Sequence, residues 1–385
     1  MVEQLASAAA LPTAGWEALL GPEDAFQSPR WLAVQERTGA TTLRYLIQRR
    51  AGTAVAGLVT AWADESVPWL LARPDTLLEH ARADGLDRAE RCGAGEPPSA
   101  LLPALVCGGR HLGRTRVVTG PGAGRDDVEA LVAAAERLAA ERGAASVCFP
   151  HVDVRDADLV TLLGGRGYDW HTSAQYCWLP VPTGGFDAYL AGMSQHRRRR
   201  VRLERRAVAE AGVEVGLQPL VAALAPRLGE LDAMLLAKYG NPADPARSAE
   251  VLTGIAEMMG DDALVSLARR DGEVIGFGLV LRSRAQGEEQ WFGHRAGFDY
   301  SAQGHLPLYY VVLYYCVLEA AAAAGVRVLH AGIGSTDAKL ARGCEASEQR
   351  SFLLRLPKPV PVPRLAGTAN PASLRATLRT PGALR

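Results

Sequence analysis

The residues with the most chemistry to offer gather in the second half of the chain. The segment His330-Ala-Gly-Ile-Gly-Ser-Thr-Asp-Ala-Lys339 places Gly332, Gly334 and Ser335 straight after an apolar run, with Lys339 and Arg342 following at a spacing of i, i+3. Glycines at such a turn let a ligand approach the backbone closely. A lysine there draws attention because the chain has only Lys238, Lys339 and Lys358. Upstream, Gln290-Trp-Phe-Gly-His-Arg295 reads as an extended strand. Alternation puts Phe292 and His294 on one face and Trp291 and Arg295 on the other. An imidazole titrates near neutrality, so His294 suits removal of a proton from an amine; a hydrogen-bonded structural histidine fits the same pattern, and His330 admits the same two roles. Tyr309, Tyr310, Tyr314 and Tyr315 follow on a helix. The spacing stacks Tyr310 with Tyr314 and sends Tyr309 and Tyr315 elsewhere. Tyr310 or Tyr309 can protonate a leaving group, or fill a core with the hydroxyl at its wet edge.

The densest charge run is Gln195-His-Arg-Arg-Arg-Arg-Val-Arg-Leu-Glu-Arg-Arg206, seven arginines in twelve positions with Glu204 as the internal carboxylate. Guanidinium forks match phosphate oxygens, whereas an ordinary charge run is a solvated helix face. The uniform sign makes Arg197, Arg198 and Arg200 candidate ligands of a phosphate-bearing cosubstrate. Trp291, Arg295, Gly332, Gly334 and Ser335 complete that candidate binding set. In the first half, the Gly-rich loop 119–125 runs into Asp126-Asp127. Acidic residues there repel an anion, so the loop reads as a turn with acidic capping.

These residues need a scaffold, and the composition supplies one. With 48% hydrophobic and 22% charged residues among 385, the chain buries enough to fold rather than remain disordered. Forty-two basic residues balance 42 acidic ones, which argues against a global commitment to nucleic acid. The six cysteines form no C-x-x-C, so zinc and a disulfide framework are not expected, nor is any other metal. Residues 1–15 lack a basic segment followed by an apolar block, and no long apolar stretch spans a membrane. The expected location is cytoplasmic.

The chain also repeats itself. Residues 44–62 and 264–282 are both apolar runs that reach Arg-Arg, turn through a glycine and resume, a hairpin signal. Each is followed by a helix ending at glycine and then a strand: 126–142 and 145–149 in the first half, 308–324 and 326–330 in the second. A short helix and a last strand close each half, at 157–178 and 337–356. The expected class is α+β with one mixed sheet per half. The Pro/Gly cluster 180–185 marks the linker, 66–110 is an insertion without a counterpart in the second half, and 357–385 is a Pro/Arg-rich tail.

Two copies of hairpin, strand, helix and strand resemble a tandem GNAT fold, and the second copy resembles the FemAB-like branch of that superfamily. The resemblance rests on the arginine helix that follows Phe186, on 295–315, and on Gly332-Ile-Gly-Ser-Thr-Asp-Ala-Lys339 with Arg342-Gly343. It implies two GNAT-like domains, 1–180 and a catalytic 186–356, and transfer of an acyl group to a small-molecule amine. The implied donors are acyl-coenzyme A or a phosphopantetheine thioester on an acyl carrier protein, with aminoacyl-tRNA as the alternative. A non-catalytic binding protein of the same fold is a further reading. The superfamily's pyrophosphate loop, Gln/Arg-x-x-Gly-x-Gly/Ala, is represented only by Gly304, and Pro307 stands at the helix start. Phosphate contacts then fall to the arginine helix. The implied catalytic set is His294 as base, Tyr310 or Tyr309 as acid, and Lys339 holding phosphates, with Cys344 as the alternative nucleophile.

Overall fold

The computed structural model describes residues 1–357 apart from 40, 70, 94, 110–113 and 242. The expected tail therefore lies, but for Pro357, outside the described residues. The first half comprises β1 (Val2–Leu5), α1 (Thr13–Glu17), α2 (Pro29–Thr38), β2 (Leu43–Arg50), β3 (Thr53–Ala63), α3 (Pro74–Ala83), β4 (Ala104–Cys107), β5 (Val118–Thr119), α4 (Arg125–Glu141), β6 (Ser146–Asp153), α5 (Ala157–Gly165) and β7 (Asp169–Pro180). The second half comprises α6 (Gly185–Ala191), α7 (Gln195–Glu210), β8 (Val213–Pro219), α8 (Ala225–Lys238), α9 (Pro245–Met259), β9 (Ala263–Arg270), β10 (Glu273–Ala285), β11 (Glu288–Phe298), α10 (Tyr300–Gln303), α11 (Leu308–Tyr310), α12 (Cys316–Ala323), β12 (Val328–Gly332), α13 (Thr336–Leu340) and β13 (Glu345–Arg355).

Both expected hairpins form, and their turns are Ala51-Gly52 and Asp271-Gly272, all four residues at positive φ. That geometry matches the right-handed twist of the flanking strands. The helices expected at 126–142 and 308–324 also form, the second as α11 and α12 joined by a π-helical turn at Val311–Tyr315. Part of the expected insertion belongs to the scaffold: β4 pairs antiparallel with β3 and parallel with β6. It thus occupies in the first half the place that β11 takes in the second.

The two halves do not keep separate sheets. A single 13-stranded sheet runs β1-β2-β3-β4-β6-β13-β7-β12-β11-β10-β9-β8, with β5 on β3 off this path. The strand β13, which arrives from the second half, pairs antiparallel with β6 on one side and β7 on the other. In turn β7 pairs with β12. Phe352 of β13 is 1% exposed in the same apolar cluster as Phe149, Leu159 and Tyr168 of the first half. Phe26, Trp31 and Val34 of the first half join the cluster of Leu231, Ile255 and Phe292 in the second. No described helix is long and apolar enough to cross a membrane.

Since each half is completed by the other, denaturant unfolding monitored by tryptophan fluorescence and by far-ultraviolet circular dichroism should give one coincident transition. Phe352→Ala should lower the unfolding free energy by about 3–5 kcal/mol. Two separated transitions would show that the halves fold independently.

Candidate functional site

The site is made by two strands that part. Parallel pairing of β11 with β12 lasts for Gln290↔Val328, Trp291↔Leu329 and Phe292↔His330. Beyond it, β11 carries a bulge against β10: Leu279 opposes Arg295 and Val280 opposes Gly293, leaving His294 as the extra residue. The strands diverge around a cavity of about 180 Å3, walled by Gly293, His294, Tyr309, Tyr314, His330, Ile333 and Lys339 among others.

The bulge corrects the alternation expected from sequence. His294 lies edge-on to Trp31, with ring centroids 4.8 Å apart, and near Phe26, which also meets Phe292. Arg295 pairs with Asp232 of α8 at 2.7 Å. Trp291 instead enters the opposite core, 3% exposed, and donates its indole N–H to Glu289 at 2.7 Å. Trp291 and Arg295 thus fall on opposite faces, because one inserted residue reverses the phase of every later side chain. His330 is buried and stacked on Phe292 at 4.1 Å, with Nε2 donating to Gln290 Oε1 at 2.7 Å. Burial first, then the nearby arginines Arg114, Arg155 and Arg116, hold its pKa well below the ordinary value, so it stays neutral.

Lys339 reaches this cavity through the turn that precedes it. Gly332, Gly334 and Ser335 all adopt positive φ, at 69°, 78° and 48°. This winds the chain so that the Gly332 and Ile333 carbonyls accept from Lys339 Nζ at 2.9 and 2.8 Å. The side chain is 3% exposed, and burial lowers its pKa from 10.5 to about 8. An ammonium has three donors. Two are spent on the carbonyls, and the third is available to the cavity that Lys339 lines. The sequence places Lys339 with the phosphates and near Arg342; the structure separates the two. Lys339 sits in the splay, and Arg342, past the end of α13, turns to α7. Cys344 is buried, with its thiol pushed up to about 12 by desolvation, which does not suit a nucleophile.

The tyrosines are redistributed by the π turn. With hydrogen bonds closing at i, i+5, residues five apart come onto one face. Tyr309 and Tyr314 accordingly share the cavity wall, hydroxyls 3.4 Å apart, and burial raises the pKa of both. Tyr310 keeps a ring contact with Tyr314 at 6.4 Å but lies under the guanidinium of Arg342, 3.7 Å from its ring centre, outside the cavity lining.

On α7, Ser194 caps the helix and Val201, Glu204 and Val208 face inward. Glu204 is the hub: it accepts two hydrogen bonds from Arg342 Nη2 at 2.7 and 3.0 Å, one from Arg200 Nε at 2.9 Å and one from the Tyr315 hydroxyl. Arg198 is structural, donating to the carbonyls of Ala191 and Met193 at the end of α6. Arg197, Arg199 and Arg202 make no ion pair among the described residues. After β11, the amides of Leu308, Tyr310 and Val311 are bonded to Leu306 and Pro307 carbonyls. Three amides at this helix start are therefore already engaged and not free for a pyrophosphate. Among the described residues no group of three His, Cys, Asp or Glu could hold a metal.

Glu204→Ala should cost about 3–5 kcal/mol of stability by stranding Arg342, while Glu204→Leu combined with Arg342→Met should cost much less. Thermal or urea melts of the three proteins check this, and equal losses would contradict the pairing.

A family model described as peptidoglycan biosynthesis/recognition, FemAB-like, matches residues 112–358, well over half of the chain. No curated protein matches the sequence. Among solved structures, FemX superposes with a TM-score of 0.60 at 13% identity, over 92% of this chain and 97% of that one. A conserved protein of unknown function from Bacteroides thetaiotaomicron gives 0.55 at 12% identity, over 92% and 100%. A tandem GNAT protein from the clavulanic acid biosynthesis pathway gives 0.54 at 15% identity, over 92% and 98%. The scaffold is thus shared with both tandem GNAT proteins and FemX, and the chain belongs to the FemAB-like family.

Proposed function

We propose that this protein is an acyltransferase that forms an amide, moving an acyl group from an activated ester or thioester to an amine in the cavity between β11 and β12. The observation that carries the reading is the buried Lys339 ammonium, anchored by two carbonyls and with one donor left over beside a pair of bonded tyrosine hydroxyls. The acyl carbonyl would sit against that donor, where negative charge develops on oxygen as the amine attacks. The new C–N bond forms, the C–S or C–O bond breaks, and the proton leaving nitrogen must reach the departing sulfur or oxygen. Tyr309 and Tyr314 suit a relay, taking one proton and giving one while remaining phenols, since burial disfavours the phenolate of either. His294 shapes the bulge at the cavity wall, and Tyr310 braces Arg342.

The hydrogen bonding after β11 bears on the donor. With the amides of Leu308, Tyr310 and Val311 already bonded, the phosphates of coenzyme A are placed elsewhere in this reading. The same observation favours an aminoacyl ester on tRNA as the second reading, since that donor needs no pyrophosphate cradle. A phosphopantetheine thioester on a carrier protein also avoids the need. The acceptor is a small-molecule amine.

The test is amide formation with acetyl-coenzyme A, an acyl carrier protein thioester and bulk aminoacyl-tRNA, each offered with a panel of amines. Lys339→Met should lower kcat by about 100-fold or more with folding intact, in line with loss of an oxyanion donor. The working form of Lys339 is the ammonium, so activity should be held below the folded pKa and fall as pH rises through about 8. Wild-type turnover by Lys339→Met would remove Lys339 from the chemistry, and no turnover with any donor would remove the enzyme reading and leave a binding protein.

A further inference from the structure

A second cavity lies between α7 and the turn after α13. It measures about 200 Å3 and is lined by His196, Arg197, Arg200, Val201, Ala341 and Arg342. Among the described residues Glu204 is the one carboxylate bonded to any of these side chains, and it serves Arg200 and Arg342 together. Two guanidiniums on one carboxylate leave positive charge in excess before Arg197 is counted. Such an excess favours an anion from outside the chain.

Arg342 makes this a built site rather than a charged surface. It is only 7% exposed. Its Nε donates to the Tyr315 hydroxyl at 2.8 Å, its Nη2 to both oxygens of Glu204, and its plane rests on Tyr310. The fork is held in one orientation, and its Nη1, which makes no hydrogen bond among the described residues, is not sealed from solvent. An acceptor that enters the cavity can meet this open donor. Arg197 and Arg200 line the cavity with it, giving three guanidiniums around one space. A phosphate, with several oxygens and up to two charges, satisfies donors from three directions better than a flat carboxylate does.

We infer that this cavity is a phosphate-binding subsite for a phosphate ester carried by the acyl donor. The inference rests on the proposed acyl transfer for the identity of the ligand, and deepens it by separating the two ends of the donor. Tyr310 lies under Arg342 and meets Tyr309 at 5.3 Å, and Tyr309 lines the acyl cavity. Lys339 and Arg342, one turn apart, thus address the two cavities from either side of a tyrosine wall. The same phosphate chemistry occurs in the nucleotide of coenzyme A and at the 3′ end of an RNA.

Isothermal titration of the full chain with inorganic pyrophosphate, adenosine 3′,5′-bisphosphate and a short oligoribonucleotide ending in CCA tests the subsite and tells the sources apart. Saturable binding should weaken about tenfold in Arg197→Gln and further when Arg200→Gln is added. Arg206→Gln, on an exposed part of the same helix, should bind as wild type. Preference for the bisphosphate or for the oligonucleotide identifies the source. Absence of binding to all three, unchanged affinity in Arg197→Gln, or equal weakening by Arg206→Gln overturns the subsite. A protein that transfers acyl groups yet binds none of these ligands loses the subsite and keeps the proposed function. One that binds them through Arg197 but transfers nothing keeps the subsite and loses that function.

Discussion

Everything at the candidate site depends on how briefly β11 and β12 pair. Three residues of parallel register hold the strands together, and the bulge at His294 then releases them. Had the pairing continued, β12 would have closed the gap into which Lys339, Tyr309 and Tyr314 now face. The divergence exposes strand edges inside the protein, and the structure fills that opening selectively. One wall is the helix with the π turn, another is the positive-φ turn at Gly332–Ser335, and the lysine is anchored by that turn's own carbonyls. A buried ammonium needs acceptors, and here the backbone provides two while leaving the third donor to the cavity.

The second constraint is the exchange of strands between halves. β13 is inserted between β6 and β7, and β7 supplies the neighbour of β12. The splayed strand β12 is therefore held from behind by a strand of the first half, so the cavity's far wall belongs to both copies. Phe26 and Trp31 extend the dependence by packing beneath Phe292 and His294 from the first half. The two halves are thereby joined in one sheet, and the first half packs against the candidate site in the second.

The charge on α7 is divided by a single carboxylate. Glu204 gathers Arg342, Arg200 and Tyr315 in the interior, Arg198 closes the preceding helix, and Arg197 remains at the cavity edge without an ion-pair partner among the described residues. A run of like charges thus contains structural and available members side by side. Helical phase distributes them, since positions three or four apart share a face and adjacent ones do not.

Local signals in the sequence determined a good deal: the Gly-centred hairpins, the helices that follow them, the repeat and hence the α+β tandem scaffold, and the neighbourhood of Lys339. These depend on contacts between residues close in the chain, where periodicity and turn residues carry the information. It did not separate Lys339 from Arg342, put Tyr309 rather than Tyr310 with Tyr314, or place Trp291 and Arg295 on opposite faces. The first depends on the positive-φ turn before α13 and on where that helix ends, and the other two on one inserted backbone unit, a π turn or a bulge, that shifts phase without leaving a residue pattern of its own. Nor did it show the single continuous sheet, because a strand's alternation looks the same whichever strand it pairs with. Those choices were made by the tertiary structure, where the partner on each edge is settled by long-range packing of residues such as Phe352 into a core that the other half builds.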